Sequence, residues 1–200
     1  MAGRPGNRDK ILICAKELFY HVGYQATSVD DIFRQCGVAK SNFYYHFKTK
    51  EQLGLEVLDL RIDEYEGQIL GPLYDLSLAP RDRIGLFFEQ VSYVQSQIQR
   101  MSGCPFGNFA AALPTLEGDE RHEKFRMRLS ELFLKVEAAL QSCLSDGQKR
   151  GEFRDDIAPE EMGAFVIAVV QGLLILTKTH RNAGSLITGL SVVRKLLQGK

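Results

Sequence analysis

The 200-residue sequence has few of the residues that build disulfide-rich or metal-bound folds. It contains four cysteines and four histidines, and it has no tryptophan. The cysteines, Cys14, Cys36, Cys104 and Cys143, are scattered without a CxxC pair, and the histidines lack metal-ligand spacing. A disulfide framework and a structural zinc site are therefore not expected. We predict no metal and no cofactor.

The sequence also lacks the patterns of an enzyme active site. His122-Glu123 is not part of a zinc-protease helix motif, because the second histidine is missing. Nucleophile elbows and phosphate-binding loops are absent as well. Neighbouring acids such as Asp155 and Asp156 would point to different faces of a helix, which is typical of exposed charge. We therefore predict that the protein is not an enzyme.

Long hydrophobic runs are missing too. The N-terminal stretch MAGRPGNRDK has no apolar core of the kind found in a signal peptide. The most apolar run, Phe165–Leu176, includes Gln171 and Gly172 and is shorter than the roughly 20 residues that span a bilayer. We expect a cytoplasmic protein with no membrane partner.

A formal net charge of zero hides an uneven distribution. Residues 1–50 carry about four more basic than acidic side chains, and the remainder is negative by the same amount. Such a split favours a nucleic-acid partner for the N-terminal quarter.

The stretch Thr27–Lys50 predicts two short helices around a glycine turn. Ser28 suits the N-cap of the first helix, and Asp31 follows three positions later. Gly37 permits a left-handed turn, after which Ala39–Tyr45 forms the second helix. A helix, a glycine-containing turn and a second helix form the organisation of a helix-turn-helix DNA-binding motif.

The second helix combines cationic, hydrogen-bonding and aromatic side chains, a mixture that suits phosphate contacts and base-edge readout in a major groove. The alternative is a solvated helix whose aromatic residues fill a small core. Phe43 and Phe47 are predicted as core residues in either case. The predicted DNA contacts are Arg4, Thr27, Ser28, Lys40, Ser41, Asn42, Tyr44, Tyr45, His46, Lys48 and Lys50.

The same stretch resembles the N-terminal domain of the TetR family of transcriptional repressors. The family's YHFK-K-L ending reads here as Tyr45-His46-Phe47-Lys48-Thr49-Lys50-Glu51-Gln52-Leu53. The preceding segment ELFYHVGYQATSVDDIFRQCGVAKSNFYYHF follows the family pattern closely. The resemblance covers about the first quarter of the chain and implies a homodimer that binds a double-stranded DNA operator.

Hydrophobic periodicity predicts helices throughout and no convincing strand. Helix 1 is expected from about Asn7 to Val22, and a Thr49-capped helix to about Leu70, where Gly71-Pro72 interrupts the pattern. The predicted fold is all-α, with about nine helices in total. A three-helix helix-turn-helix domain (residues 1–50) precedes a larger helical ligand-binding and dimerisation domain (residues 51–200).

A late helix, Met162–Leu176, is apolar on nearly every side, so a partner is expected to cover one of its faces. The resemblance implies that the last two helices pair with their counterparts as a four-helix bundle. A helix wholly buried in one subunit is the alternative. The predicted interface residues are Phe165, Ala168, Val169, Gly172, Leu176 and Val193.

The many phenylalanines between Pro80 and Lys178 suggest an apolar or aromatic effector cavity, although core packing explains each one singly. Cys104 stands at a predicted helix start, where a helix dipole favours a thiolate. The predicted lining residues are Phe87, Phe88, Tyr93, Gln97, Cys104, Phe106, Asn108, Phe109, Phe125 and Phe133.

These observations predict a repressor that binds a palindromic operator as a dimer and releases it on binding a small apolar or aromatic effector. One alternative is a repressor that senses oxidants or electrophiles through Cys104. Another is a ligand-independent DNA-binding regulator. A third, from a different class, is a helical small-molecule-binding protein or enzyme whose first domain is only an adaptor.

Overall fold

The computed structural model describes residues 6–97, 102–113 and 120–198, the last range without side chains at 120 and 121. Within these ranges the chain forms helices and no strand, so the all-α prediction is confirmed. A π-helical segment, Glu66–Leu70, lies between the fourth and fifth helices. The α-helices are α1 (Asn7–His21), α2 (Val29–Cys36), α3 (Lys40–His46), α4 (Lys50–Tyr65), α5 (Gly71–Tyr74), α6 (Pro80–Gln97), α7 (Pro105–Ala112), α8 (Glu120–Lys149), α9 (Pro159–His180) and α10 (Gly184–Leu197).

The predicted interruption at Gly71-Pro72 is wrong. The chain continues from α4 through the π-helical segment directly into α5. Pro72 lies in the first turn of α5. Backbone N–H groups in a first turn have no acceptor within their own helix, so a proline, which lacks the N–H, costs no hydrogen bond of α5. The wider π-helical turn before it lets the helical path continue through a residue that would break an ordinary helix interior.

The described chain forms two compact units. The first comprises Met1–Ile62 and Pro105–Leu129, and the second comprises Asp63–Cys104 and Ser130–Lys200, each as far as the structure describes it. The first unit therefore holds α1, α2, α3, α7, most of α4 and the start of α8.

The core of the first unit begins on α1. Ile11, Ala15 and Phe19 recur at helical spacing and are buried. Phe43 of α3 and Phe47, which follows it, are also fully buried. This core holds α3 through Phe43 and leaves another face of the helix exposed.

An aromatic cluster joins α7 and α8 to the rest of the first unit. The Tyr24 ring stacks on Phe109 at 5.3 Å between centroids and tilts against Phe125 at 5.0 Å. Phe19 meets Tyr24 edge-on at 5.1 Å. Gly54 of α4 lies against this cluster so closely that an added Cβ would approach the Tyr24 ring to 2.6 Å.

The second unit packs α6, α9, α10 and most of α8 around an apolar core. Its buried arginine, Arg83 of α6, donates from Nε to the Leu73 carbonyl at 2.9 Å and from Nη1 to Asp146 at 3.3 Å. α9 and α10 approach closely at Gly189, where an added Cβ would lie 2.4 Å from a terminal methyl group of Leu173. These contacts hold together the helices that carry the predicted dimer face.

Candidate DNA-binding surface and effector site

The start of α2 is fixed by a reciprocal cap. The Asp31 backbone N–H donates to Ser28 Oγ at 3.1 Å, while the Ser28 backbone N–H donates to Asp31 Oδ2 at 2.9 Å. The Ser28 hydroxyl also donates to the same carboxylate oxygen at 2.6 Å. The hydrogen bonds from Ser28 lower the pKa of Asp31, and Arg34 adds to the effect. The sequence prediction of Ser28 as N-cap is confirmed.

The turn between α2 and α3 is made by Gly37. Its φ of 62° lies in the left-handed region that favours glycine, and its N–H donates to the Phe33 carbonyl at 3.0 Å. Val38 is buried behind the turn. The chain then enters α3 at a fixed angle to α2, as a helix-turn-helix requires.

α3 has one buried and one exposed face. Phe43 lies edge-on to Phe33 at 5.3 Å and tilted against Phe47 at 5.9 Å, which anchors the helix in the core. Tyr44 and Tyr45 are 43% and 77% exposed, and the Tyr44 ring also lies edge-on to Phe43 at 5.2 Å. Because residues three and four apart share a helix face, these tyrosines lie close to two further exposed residues, Lys40 and Ser41. The result is an exposed surface, here called the α3 face, made of Lys40, Ser41, Tyr44 and Tyr45.

The predicted lysines differ in what they contact. Lys48 is exposed at the end of α3, and its Nζ donates to the Tyr44 carbonyl at 3.3 Å. Lys50 is half-buried instead, with Nζ 4.4 Å from the centre of the Tyr24 ring. Burial lowers the pKa of Lys50. Lys48 is therefore the lysine that extends the α3 face.

The other predicted DNA contacts lie apart from that face or outside the described residues. Thr27 is 1% exposed, and its hydroxyl donates to the Gly23 carbonyl at 2.8 Å, so it serves the turn before α2. Asn42 and His46 are half-buried on α3. Arg4 lies outside the described residues.

The predicted effector residues divide between the two units. Phe87 and Phe88 are buried in the second unit and Phe133 is half-buried there, while Tyr93 and Gln97 are exposed on α6. Four others, Phe106, Asn108, Phe109 and Phe125, belong to the first unit. Cys104 is half-buried in the second unit, at the end of its chain segment. The predicted set is thus divided between the two units.

A small recess, open to solvent, lies in the first unit between α1, α4 and α7. Its walls are mostly apolar, with two cationic side chains among them. Periodicity assigned several of these residues to core faces and gave no sign of an opening between the helices. The lining residues are Lys16, Phe19, Tyr20, Val57, Leu58, Arg61, Pro105, Phe106 and Phe109.

The predicted dimer residues on α9 form an apolar stripe. Phe165 and Leu176 are 49% and 42% exposed, and Ala168 and Gly172 lie exposed between them at helical spacing. Val193 of α10 differs, because it is buried within its own chain, while its neighbour Val192 is exposed. By length and composition alone α9 could also cross a membrane, a test that core helices of soluble proteins pass as well.

A helix-turn-helix DNA-binding regulator is the class of protein that this fold and the α3 face define. The model of bacterial regulatory proteins of the tetR family matches residues 11–57, and a tetracyclin repressor-like C-terminal domain matches residues 80–188. Together they cover more than half of the chain. The protein belongs to the TetR family of bacterial regulatory proteins.

The chain is similar over nearly its full length to DhaR, a transcriptional repressor of Mycobacterium sp. strain GP1. The two are 32% identical over 192 residues, which cover 95% of this chain and 91% of DhaR. Similarity to QacR of Staphylococcus aureus is stronger but local, with 48% identity over 61 residues that cover 30% of this chain and 32% of QacR. The solved structure of Escherichia coli NemR in its reduced form has the same fold, with a TM-score of 0.82 at 22% identity, covering 96% of this chain and 97% of NemR.

The family fixes the broad function. Its members are DNA-binding transcriptional regulators that act as dimers, and they are not enzymes. The chain is therefore a DNA-binding transcriptional repressor of the TetR type.

Proposed function

We propose that the protein binds a palindromic operator as a homodimer in the cytoplasm and releases it when a small apolar or aromatic effector binds. The observation that carries this proposal is the α3 face, an exposed polar and aromatic surface held by the buried Phe43. Residues 1–50 then form the DNA-binding domain, and residues 51–200 contain the ligand-binding and dimerisation part.

For operator recognition, Lys40, Ser41, Tyr44 and Tyr45 are proposed to enter the major groove, with Lys48 on the phosphate backbone. Selection of bound duplexes from a random DNA pool tests this directly. The expected product is a palindrome whose half-sites are spaced by about one helical turn, 34–36 Å, or a multiple of it. Recovery of unrelated sequences with equal affinity would support the alternative of a non-specific DNA-binding protein.

For dimerisation, the support is the apolar stripe on α9. An exposed row from Phe165 to Leu176 is costly in water unless a second copy covers it. Small residues at Ala168 and Gly172 would let two helices approach closely. Sedimentation equilibrium of the purified chain should give twice the mass of 22.5 kDa. A single-chain mass at micromolar concentration would contradict the homodimer.

For effector release, the proposal rests on differential affinity. A ligand lowers operator affinity only if it binds more tightly to the conformation in which the two α3 faces are wrongly spaced. Titration of the protein–operator complex with small aromatic compounds, followed by fluorescence anisotropy, tests for release. Undiminished operator binding with every compound would favour the ligand-independent regulator.

The Cys104 alternative depends on the position of one thiol. Cys104 is half-buried and lies directly before Pro105, where α7 begins. Operator release by hydrogen peroxide in the wild type and its loss in Cys104→Ser would establish thiol sensing. Equal release from both proteins would exclude it.

A further inference from the structure

Among the described residues of the second unit, one buried side-chain polar atom has no hydrogen-bond partner. Gln95 of α6 is 3% exposed, yet its side-chain oxygen, Oε1, accepts no hydrogen bond from any residue that the structure describes. Buried carbonyl oxygens are nearly always hydrogen-bonded, since leaving one unpaired forfeits the bond it would make with water. An orphaned acceptor inside a helical domain therefore indicates a place where something else donates.

The orientation of Gln95 follows from its other contact. Its Nε2 donates to the Gly103 carbonyl at 3.1 Å, and only the nitrogen end of the amide can make that bond. The nitrogen and oxygen of the amide therefore cannot exchange places, and Oε1 points away from the Gly103 carbonyl. α6 and the segment Ser102–Cys104, here called the strap, are tied together by this bond.

The strap is held on its other side by α9. Gly103 has a φ of 73°, and a Cβ added there would come within 3.1 Å of the Leu174 carbonyl oxygen and 3.4 Å of Lys178 Cβ. Neither the backbone conformation nor the space allows another residue at this position without a shift. The strap is thus tightly held where the chain leaves the second unit and begins α7.

We propose that Gln95 is the polar anchor of the effector site, and that the effector carries a hydrogen-bond donor, a hydroxyl or an N–H on an apolar or aromatic body, which it gives to Gln95 Oε1. This inference rests on the proposed effector-controlled function and specifies the chemistry of its ligand. Phe88 precedes Gln95 by seven residues, or about two turns, so these two buried side chains lie on the same side of α6 and favour an apolar body there.

The position of Gln95 also links the ligand to the DNA-binding unit through the chain itself. A donor bound at Oε1 polarises the same amide whose nitrogen holds the Gly103 carbonyl, so it acts on the strap directly. The strap ends at Cys104, and the next residue, Pro105, begins α7 in the first unit. The Gly103 carbonyl that Gln95 holds is thus two residues before Pro105.

The test compares pairs of probes that differ in one donor: phenol with toluene, and indole with benzothiophene. Binding to the purified, full-length protein is measured by isothermal titration calorimetry, and operator release by fluorescence anisotropy. The donor-bearing member of a pair should bind about tenfold more tightly than its partner, the effect of one buried hydrogen bond. Gln95→Leu should abolish that preference while still binding the apolar member.

Two further variants separate a ligand role from a structural one. Gln95→Glu, once protonated in its buried site, restores both an acceptor and a donor toward Gly103 and should recover the preference. Gln90→Leu removes another glutamine of α6 and should keep the wild-type preference. Thermal unfolding of all three variants checks that each is folded.

The outcomes are distinct for the two proposals. Release of operator by these compounds without any donor preference, or with a preference that survives in Gln95→Leu, overturns the role of Gln95 and leaves effector control intact. Failure of every probe to bind or to release the operator counts against the role of Gln95 for this ligand class. Failure of release with effectors of every chemistry would count against effector control itself.

Discussion

α3 and α9 are both amphipathic in the sense that one face is buried, but their exposed faces differ in polarity. α3 buries one aromatic face inside its own unit and exposes a polar face that suits DNA. α9 buries Val166, Val170 and Leu174 on one side and exposes apolar residues on another. A polar exposed face is stable alone in water, whereas an apolar one needs a partner. The comparison teaches that α9, unlike α3, needs a second protein surface to cover its exposed apolar face.

The largest effect is expected at the buried anchor of α3. Phe43→Ala should lower the free energy of unfolding by about 3–5 kcal/mol, because it removes a fully buried ring and leaves a cavity. Urea unfolding followed by circular dichroism measures this. Tyr45→Ala, at the exposed position on the same helix, is the matched control and should change stability by less than about 0.5 kcal/mol. Equal losses would mean that the two faces of α3 are not distinct.

On α9, a charge in the exposed stripe should break the proposed homodimer while each chain stays folded. Leu176→Glu would place a carboxylate in the interface without a partner, a cost of several kcal/mol. Sedimentation equilibrium should then give a monomer. Leu134→Glu, an exposed leucine of α8, should leave the mass unchanged. A dimer that survives Leu176→Glu would move the interface elsewhere.

On the α3 face, Tyr44→Ala should reduce operator affinity by about 1–3 kcal/mol relative to non-specific DNA, the range of a lost base contact. Lys48→Ala should instead weaken all sequences alike and reduce the salt dependence by about one ion. Competition binding at several salt concentrations separates the two effects. If Tyr44→Ala kept full specificity, α3 would not be the reading helix.

The smallest effect concerns the cap of α2. Because the pKa of Asp31 is lowered in the folded state, its stabilising effect is present above the unfolded pKa of about 3.9 and is lost as pH falls through the folded value. The difference in Tm between wild type and Asp31→Asn should therefore be present near neutral pH and vanish in strong acid. A difference that persists in strong acid would show that the carboxylate charge is not its source.

Features with short-range causes could be predicted from the sequence. Ser28, Gly37 and Thr49 signal helix ends through their own chemistry, and the Gln52 N–H does donate to Thr49 Oγ1 at 3.0 Å. Pro159 likewise stands at the first position of α9, where proline is well tolerated. Local rules were sufficient at these positions because the stabilising partners lie within a few residues.

Features with distant causes could not be predicted. Lys50 lies over Tyr24, and the side-chain amide of Gln95 is fixed by Gly103, whereas the sequence pointed to Gln97 on the same helix. Periodicity assigns a residue to a helix face but does not say which neighbouring helix meets it. For the same reason, the sequence pattern did not predict that α7 belongs to the first unit.

Gly54 is a position where substitutions should inactivate the repressor although it belongs to neither proposed binding site. A methyl group there would collide with Tyr24 at 2.6 Å and with Phe125 at 2.9 Å, so even alanine must push two rings apart. A selection for colonies that express the repressed genes should therefore yield Gly54 substitutions, although the residue lies on α4 rather than on the α3 face or at Gln95. Such mutants would be unable to repress because the support of the DNA-reading helices is deformed.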